Sequence, residues 1–193
     1  MYFKRSLITL LFILLSFSSL KANNTVNVGI TNETFEAELG VYINDYYVLD
    51  SGSDYYLDLS FFNSEEDGES PMFNYGFRVA SPFSNDMGMS VAFGMRIITT
   101  EHNSDIYAAV PFALFLRNEI NDQINVSSRF MYSPTVLNFM EAEGYREMRV
   151  QVNYALVDNN VYVFGGYRSI RTKYNNFTHK PASGMYFGAQ VTY

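Results

Sequence analysis

Residues 184–193, GMYFGAQVTY, close the printed sequence with a strict alternation of two kinds of side chain. Met185, Phe187, Ala189, Val191 and Tyr193 take every second position, and glycine, tyrosine, glutamine and threonine fill the positions between them. Successive side chains of a β-strand point to opposite faces of the sheet, whereas a helix repeats every 3.6 residues. This period of two therefore predicts a strand with one apolar face and one polar face.

The same alternation recurs through nearly every segment from Thr34 onward. Counted back from the C-terminus it predicts nine strands, and residues 25–31 add a short tenth. Alternating segments of roughly 10 residues are typical of transmembrane β-strands. We therefore predict an all-β fold, a closed antiparallel up-and-down transmembrane barrel of about ten strands, with eight as the alternative. An even number places both termini on one side, which in bacterial barrels is the periplasm.

The connections between these strands are expected to alternate in length, as they do in outer-membrane barrels. Residues 82–86, 118–123 and 157–160 are predicted to be short turns. Longer loops are predicted at 63–71, 99–105, 134–144 and 173–183. The link at 45–54 is an exception, because it is long and lies on the short-turn side.

The composition argues against disorder and against a helical bundle, because hydrophobic and aromatic residues are abundant and charged ones are few. The 193 residues include 17 Phe and 16 Tyr but no Trp and no Cys, and the formal net charge is -7. The negative charge disfavours a nucleic-acid partner, and the lack of cysteine excludes disulfides and thiolate metal sites. Many aromatic side chains are expected to face lipid or form interfacial belts. Those placed near strand ends or on the outward face are Tyr46, Tyr47, Tyr55, Phe61, Phe73, Tyr107, Tyr132, Tyr145, Tyr154, Tyr167 and Tyr193.

The N-terminal segment has the pattern of a secretory signal peptide. Lys4 and Arg5 precede an apolar stretch at 7–17, and the small Ala22 offers a cleavage site. The apolar stretch is shorter than the roughly 20 residues that a membrane-spanning helix needs. We therefore predict a signal peptide at 1–22, a barrel domain at 23–193 and an outer-membrane location.

The last strand also resembles the assembly signal of bacterial outer-membrane proteins. Tyr186, Gly188, Val191 and the terminal aromatic Tyr193 stand at the positions of that pattern. The resemblance implies that the outer-membrane assembly machinery is a partner.

Several longer stretches resemble the YfaZ family of outer-membrane proteins. They are residues 130–134 (FMYSP), 145–155, 161–170 (VYVFGGYRSI), 75–82 and the closing strand. The sequence departs from that family in having fewer glycines in its early strands and no Trp. Because the family has no well-defined activity, the resemblance implies a fold and a location but no reaction.

The predicted polar faces carry nine charged residues that would point into the lumen. They are Glu36, Glu38, Asp58, Arg78, Arg96, Arg129, Glu147, Arg149 and Arg168. Arginine suits bidentate pairing with carboxylates, and an unpaired charge in a low-dielectric interior is costly. Two interpretations stay open: a selectivity filter in a narrow pore, or the packed core of a plugged barrel.

The function expected from these features is non-enzymatic, either structural or a narrow pore for small solutes, with no cofactor or metal. One alternative is a rim-located lipid hydrolase or acyltransferase that uses His102 and His179 together with Glu101, Ser104 or Asp105. Another is a soluble periplasmic barrel that binds a ligand among inward-facing apolar residues. The acidic run at 65–69 is expected to be a solvated loop. Outer-membrane lipid and lipopolysaccharide are the expected partners, and the sequence leaves the oligomeric state open.

Overall fold

The computed structural model describes residues 23–44, 52–65, 71–84, 88–102, 104–157 and 160–193. The predicted signal peptide at 1–22, Tyr46, Tyr47 and most of the acidic run at 65–69 lie outside these ranges. Within them no helix has the length and apolarity that spanning a membrane requires.

The described chain consists almost entirely of β-strands, in the order that the alternation predicts. The strands are β1 (Thr25–Ile30), β2 (Thr34–Tyr42), β3 (Asp54–Ser64), β4 (Met72–Ser84), β5 (Met89–His102), β6 (Asp105–Ala109), β7 (Phe112–Glu119), β8 (Ile124–Ser133), β9 (Asn138–Met140), β10 (Ala142–Val157), β11 (Val161–Tyr174) and β12 (Thr178–Thr192). A single 3₁₀ turn at Thr135–Leu137 precedes β9.

Ten of these strands close into an antiparallel barrel, which confirms the ten-strand prediction over eight. The ring runs β1–β2–β3–β4–β5–β7–β8–β10–β11–β12, and β12 pairs with β1 to complete it. Closure leaves the ring with no unpaired edge strand, which a sheet surrounded by lipid requires. We call the end that holds Thr25 and Thr192 the terminal end, and the opposite end the far end.

The sixth predicted strand is not continuous, because Pro111 interrupts it. Proline has no backbone N–H to donate to a ladder, so β6 ends at Ala109 and β7 begins at Phe112. Both pieces still pair with β5. The N–H of Val110 turns away and donates to the carbonyl of Leu137 at 2.8 Å. The short β9 then pairs with β6, giving two extra strands at the far end.

Two of the predicted long loops are wrong, because the strands extend into them. β5 reaches His102 and β6 starts at Asp105, so the loop predicted at 99–105 is a tight turn. Ser104 has a φ of 72°, a left-handed conformation that such a turn uses. Similarly, β12 starts at Thr178 and shortens the loop predicted at 173–183. The barrel wall is therefore taller on this side than the alternation in loop length suggests.

The outer face of the wall is a belt of apolar side chains. Leu57, Leu59, Phe73, Phe93 and Phe187 are each about half exposed or more, although they are large and apolar. An exposed surface of this kind suits lipid and not water. The alternative of a soluble barrel with apolar residues inside is therefore wrong, because the side chains it needs in the interior point outward.

The far half of the interior is an apolar core. Ile98, Met131, Ile170 and Tyr174 belong to this cluster, together with the completely buried Tyr107 and Tyr145. The prediction that Tyr107 and Tyr145 face outward is thus wrong. Tyr145 lies two positions before the inward-facing Glu147 in the same strand, so both have the same parity, that is, the same odd or even place in the alternation. Parity therefore predicts the face of Tyr145 correctly, whereas its position near a strand end does not.

We expect Tyr107→Phe to lower the free energy of unfolding by about 1–2 kcal/mol, because its hydroxyl donates to the carbonyl of Gly144 at 2.6 Å in this core. Urea unfolding of the refolded barrel in lipid vesicles measures the change. Tyr154→Phe is the matched control, since the Tyr154 ring lies on the outer face. Equal effects of the two substitutions would contradict a buried hydrogen bond at Tyr107.

Candidate functional site: a charge layer across the lumen

The nine charged residues predicted for the lumen all occupy inward-facing positions near mid-height. Glu36 and Glu38 come from β2, and the others come from β3, β4, β5, β8, β10 and β11. All except Arg78 are buried. We call these nine residues the charge layer.

Arg129 lies at the centre of the charge layer. Its guanidinium donates to Glu38 at 2.8 Å and contacts Glu147 at 2.8 Å. β2 and β8, which carry Glu38 and Arg129, are separated by four strands in either direction around the ring. The Arg129–Glu38 pair therefore joins opposite walls of the barrel and crosses the lumen.

Glu36 organises one side of the layer. Its carboxylate accepts from Arg149 at 2.7 Å and from Arg168 at 2.6 Å. Arg168 also donates to the hydroxyl of Thr34 at 2.7 Å. The Glu36 carboxylate of β2 thus binds side chains of both β10 and β11.

Asp58 organises the other side. Arg96 lies between Glu38 at 2.6 Å and Asp58 at 3.0 Å. Arg78 completes this side with a hydrogen bond from Nε to Asp58 at 3.1 Å. Charge-assisted bonds of this kind are roughly twice as strong as neutral ones, and each one here joins side chains of different strands.

Aromatic rings that were not predicted as part of the site pack against these guanidinium groups. The Phe115 ring lies 5.4 Å from the guanidinium carbon of Arg96 and 5.9 Å from that of Arg129. Tyr186 lies 5.1 Å from that of Arg168, and the Tyr145 hydroxyl donates to Glu147 at 2.8 Å. Such cation–π contacts add stabilisation where water is excluded.

The interior also holds Arg117, a charged residue that is not among the nine predicted ones. It pairs with Glu119 at 3.3 Å near the terminal end, where the Arg117 side chain is partly exposed and the Glu119 side chain is exposed. Arg117 shares its parity with Phe115, and that parity was the available signal for its inward position.

A cavity of about 230 Å³ lies on the terminal side of the charge layer. Polar side chains such as Asn27, Asn125, Gln151 and Gln190 line it together with apolar ones such as Phe164, and Arg129 and Arg149 border it. On the other side of the layer lies the apolar core. Among the described residues, the lumen is thus hollow, with a mixed polar and apolar lining, towards the terminal end but filled towards the far end.

The two histidines lie together at the far end. The rings of His102 and His179 stack with centroids 4.6 Å apart, beside Phe177. The described residues contain no group of three acidic, histidine or cysteine side chains placed to hold a metal ion. Of the acidic run at 65–69 only Glu65 is described, and it is exposed.

The four residues of the predicted assembly signal lie at the closing seam between β12 and β1. Tyr186 points inward, and its hydroxyl donates to Gln151 at 2.5 Å. Gly188 is paired with Gly29, and Val191 with Val26. The Tyr193 backbone exchanges hydrogen bonds with Asn24 at 2.9 and 3.0 Å. Recognition of these residues by an assembly machinery stays a prediction.

A closed ten-strand wall, an apolar outer belt and a layer of charged side chains across the interior define the class: an integral β-barrel of the outer membrane. The family model described as YfaZ precursor matches residues 4–193. The chain belongs to the YfaZ family, whose precursors are exported, and it is an outer-membrane protein.

A solved porin has a similar fold. The KdgM porin in complex with disordered oligogalacturonate superposes with a TM-score of 0.50 and 9% identity, over 89% of this chain and 99% of that chain. The outer membrane channel DcaP of Acinetobacter baumannii gives a TM-score of 0.46 and 8% identity, over 90% of this chain and 56% of that chain. No curated protein matches the sequence.

Proposed function

We propose that this protein is a non-enzymatic structural barrel of the outer membrane whose lumen is closed at rest. The observation that carries the proposal is the Arg129–Glu38 pair, which joins opposite walls at 2.8 Å. A solute crossing the barrel would have to break this pair. Breaking a buried ion pair leaves charges without compensation and costs several kcal/mol.

The apolar core supports a closed lumen independently of the charge layer. Ile98, Tyr107 and Tyr145 are fully buried just beyond it, towards the far end. An ion entering this region would lose its hydration without gaining polar partners. Two barriers of different chemistry thus lie in series, one made of ion pairs and one made of packed rings and aliphatic chains.

A gated narrow pore is the second candidate, and the cavity on the terminal side favours it. That cavity would admit a small solute as far as Arg129 and Arg149. The KdgM porin was solved with oligogalacturonate, an acidic sugar polymer. Here Arg129 and Arg149 already bind carboxylates of the barrel itself, so an acidic sugar would have to displace Glu36 and Glu38. The closed structural barrel is therefore the better supported function.

The surroundings of His102 support a non-enzymatic role. Catalytic histidines that act as a general base are oriented by a hydrogen bond to their second ring nitrogen. The buried Nδ1 of His102 has no hydrogen-bond partner among the described residues. The ring packs instead against Phe177, Tyr174 and His179.

We expect the purified barrel to give no discrete openings in planar lipid bilayers. The same protein preparation is also reconstituted into lipid vesicles, where heat-modifiable migration on a gel verifies that the protein is folded and inserted. The DcaP channel, reconstituted in parallel, serves as the conducting control. Reproducible single-channel steps from the folded protein would overturn the closed lumen and support the pore.

A further inference from the structure

A row of four side chains crosses the outer face of the barrel near its far end. Phe112, Tyr132, Arg146 and Arg171 stand on four adjacent strands, and each is the direct register partner of the next. All four are exposed. The row marks the place on these strands where the apolar belt meets charged residues.

The two arginines of this row are an unusual pair. Arg146 and Arg171 face each other across β10 and β11, and directly opposed like charges destabilise a sheet. Neither has an ion-pair partner among the described residues. The nearby Lys173, by contrast, pairs with Glu143 at 2.5 Å. The Arg146 guanidinium also lies 5.5 Å from the centre of the Tyr132 ring, which restricts its position. The pair thus offers two guanidinium groups to an external anion.

An apolar groove begins at this row and extends towards the terminal end. Its floor is the next row of register partners, Leu114, Phe130 and Met148, and Phe93 borders it. The groove encloses about 540 Å³ and also includes Arg146 and Arg171 at its edge. The groove is therefore a continuous surface that is apolar along its length and carries two positive charges, Arg146 and Arg171, at one end.

We propose that this groove binds one molecule of lipopolysaccharide through its phosphorylated lipid anchor. A phosphate group between Arg146 and Arg171 would accept hydrogen bonds from both guanidinium groups and cancel their repulsion. An acyl chain would then lie along Leu114, Phe130 and Met148. Anionic headgroups are recognised by basic residues in this way at membrane surfaces.

The position of the groove selects the lipid. With an even number of strands both termini face the periplasm, so the far end faces outward. Arg146 and Arg171 therefore lie at the headgroup level of the outer leaflet, where lipopolysaccharide is the phosphorylated lipid. Phospholipids of the inner leaflet have their headgroups near the terminal end. The site lies outside the barrel wall and does not depend on whether the lumen conducts.

The test measures binding of lipid A, the phosphorylated anchor of lipopolysaccharide, to the full barrel in detergent micelles by native mass spectrometry. We expect Arg146→Gln and Arg171→Gln each to weaken the apparent affinity about tenfold, the loss of one charge-assisted contact. Lys173→Gln removes the same charge at the same end and should have a much smaller effect, because Lys173 already has Glu143.

Two further outcomes decide between ligands. Dephosphorylated lipid A should bind no better to the normal barrel than to the Arg146→Gln/Arg171→Gln double variant. Phosphatidylglycerol should compete poorly, since its single phosphodiester carries less charge. Undiminished binding to the double variant, an equal loss with Lys173→Gln, or equal competition by phosphatidylglycerol would each overturn the proposal. Heat-modifiable migration of each variant verifies that it is folded.

Discussion

Replacing Glu38 by glutamine should lower the free energy of unfolding by about 3–5 kcal/mol, the cost of breaking a buried ion pair. Glu38 is the acceptor that Arg96 and Arg129 share, at 2.6 and 2.8 Å. The substitution keeps the size of the side chain but leaves five guanidinium groups facing three carboxylates. Urea unfolding in lipid vesicles, followed by tyrosine fluorescence and by heat-modifiable migration, measures the change.

Glu119→Gln is the matched control for this substitution. It makes the same chemical change on the same inward face, but the Glu119 side chain is 58% exposed and pairs with a partly exposed Arg117. Exposed ion pairs contribute at most about 1 kcal/mol. If both substitutions shift the unfolding transition equally, the charge layer is hydrated and the proposal of a closed lumen is wrong. A second check is Glu38→Gln combined with Arg129→Met, which should be less destabilising than the sum of the single changes.

Gly188→Ala should destabilise the barrel by about 3 kcal/mol, at the upper end of the range for overpacking. A Cβ at this position would lie 2.0 Å from the backbone oxygen of Val28 and 2.4 Å from the Phe164 ring. The clash falls on the seam between β12 and β1, so it opposes closure of the ring. Unassisted refolding into vesicles, with the fraction of heat-modifiable protein as readout, tests this expectation.

Gly29→Ala gives the control, because Gly29 is the direct partner of Gly188 across the seam. A Cβ there would meet the Tyr186 ring at 3.4 Å, an ordinary contact. Since alanine restricts the unfolded chain more than glycine does, the change in stability should stay below about 1 kcal/mol. If Gly188→Ala refolds normally in vitro but fails in cells, its role lies in recognition by the assembly machinery and not in packing.

The strand positions could be predicted because alternation is a local property. Every residue from Thr34 to Tyr42 takes its face from its parity alone, so Glu36 and Glu38 were assigned to the interior directly from the sequence. Position near a strand end predicts the wrong face for Tyr107 and Tyr145, whereas alternation along the strand predicts the inner face that they occupy. Alternation alone also predicts one continuous strand through Pro111, where the missing N–H of proline interrupts the ladder.

The contacts within the site could not be predicted in the same way. Parity says that Arg129 and Glu38 both point inward, but their pairing across the lumen depends on ring closure, on strand number and on stagger. Phe115 illustrates the same limit, because its contact with guanidinium groups from two other strands is a property of the closed ring. The lengths of the far-end turns could not be predicted either, because they depend on how far strand pairing extends, as in the pairing of His102 with Asp105.

The seam between β12 and β1 has a consequence for the order of events during folding. Thr25 pairs with Thr192, so this contact joins residues at opposite ends of the described chain, while the other neighbouring strands of the ring follow each other closely in sequence. Closing so long a loop has the largest entropic cost of any step, and non-local contacts form slowly. We therefore expect hairpins to form early and the ring to close last, and until then two unsatisfied strand edges invite aggregation.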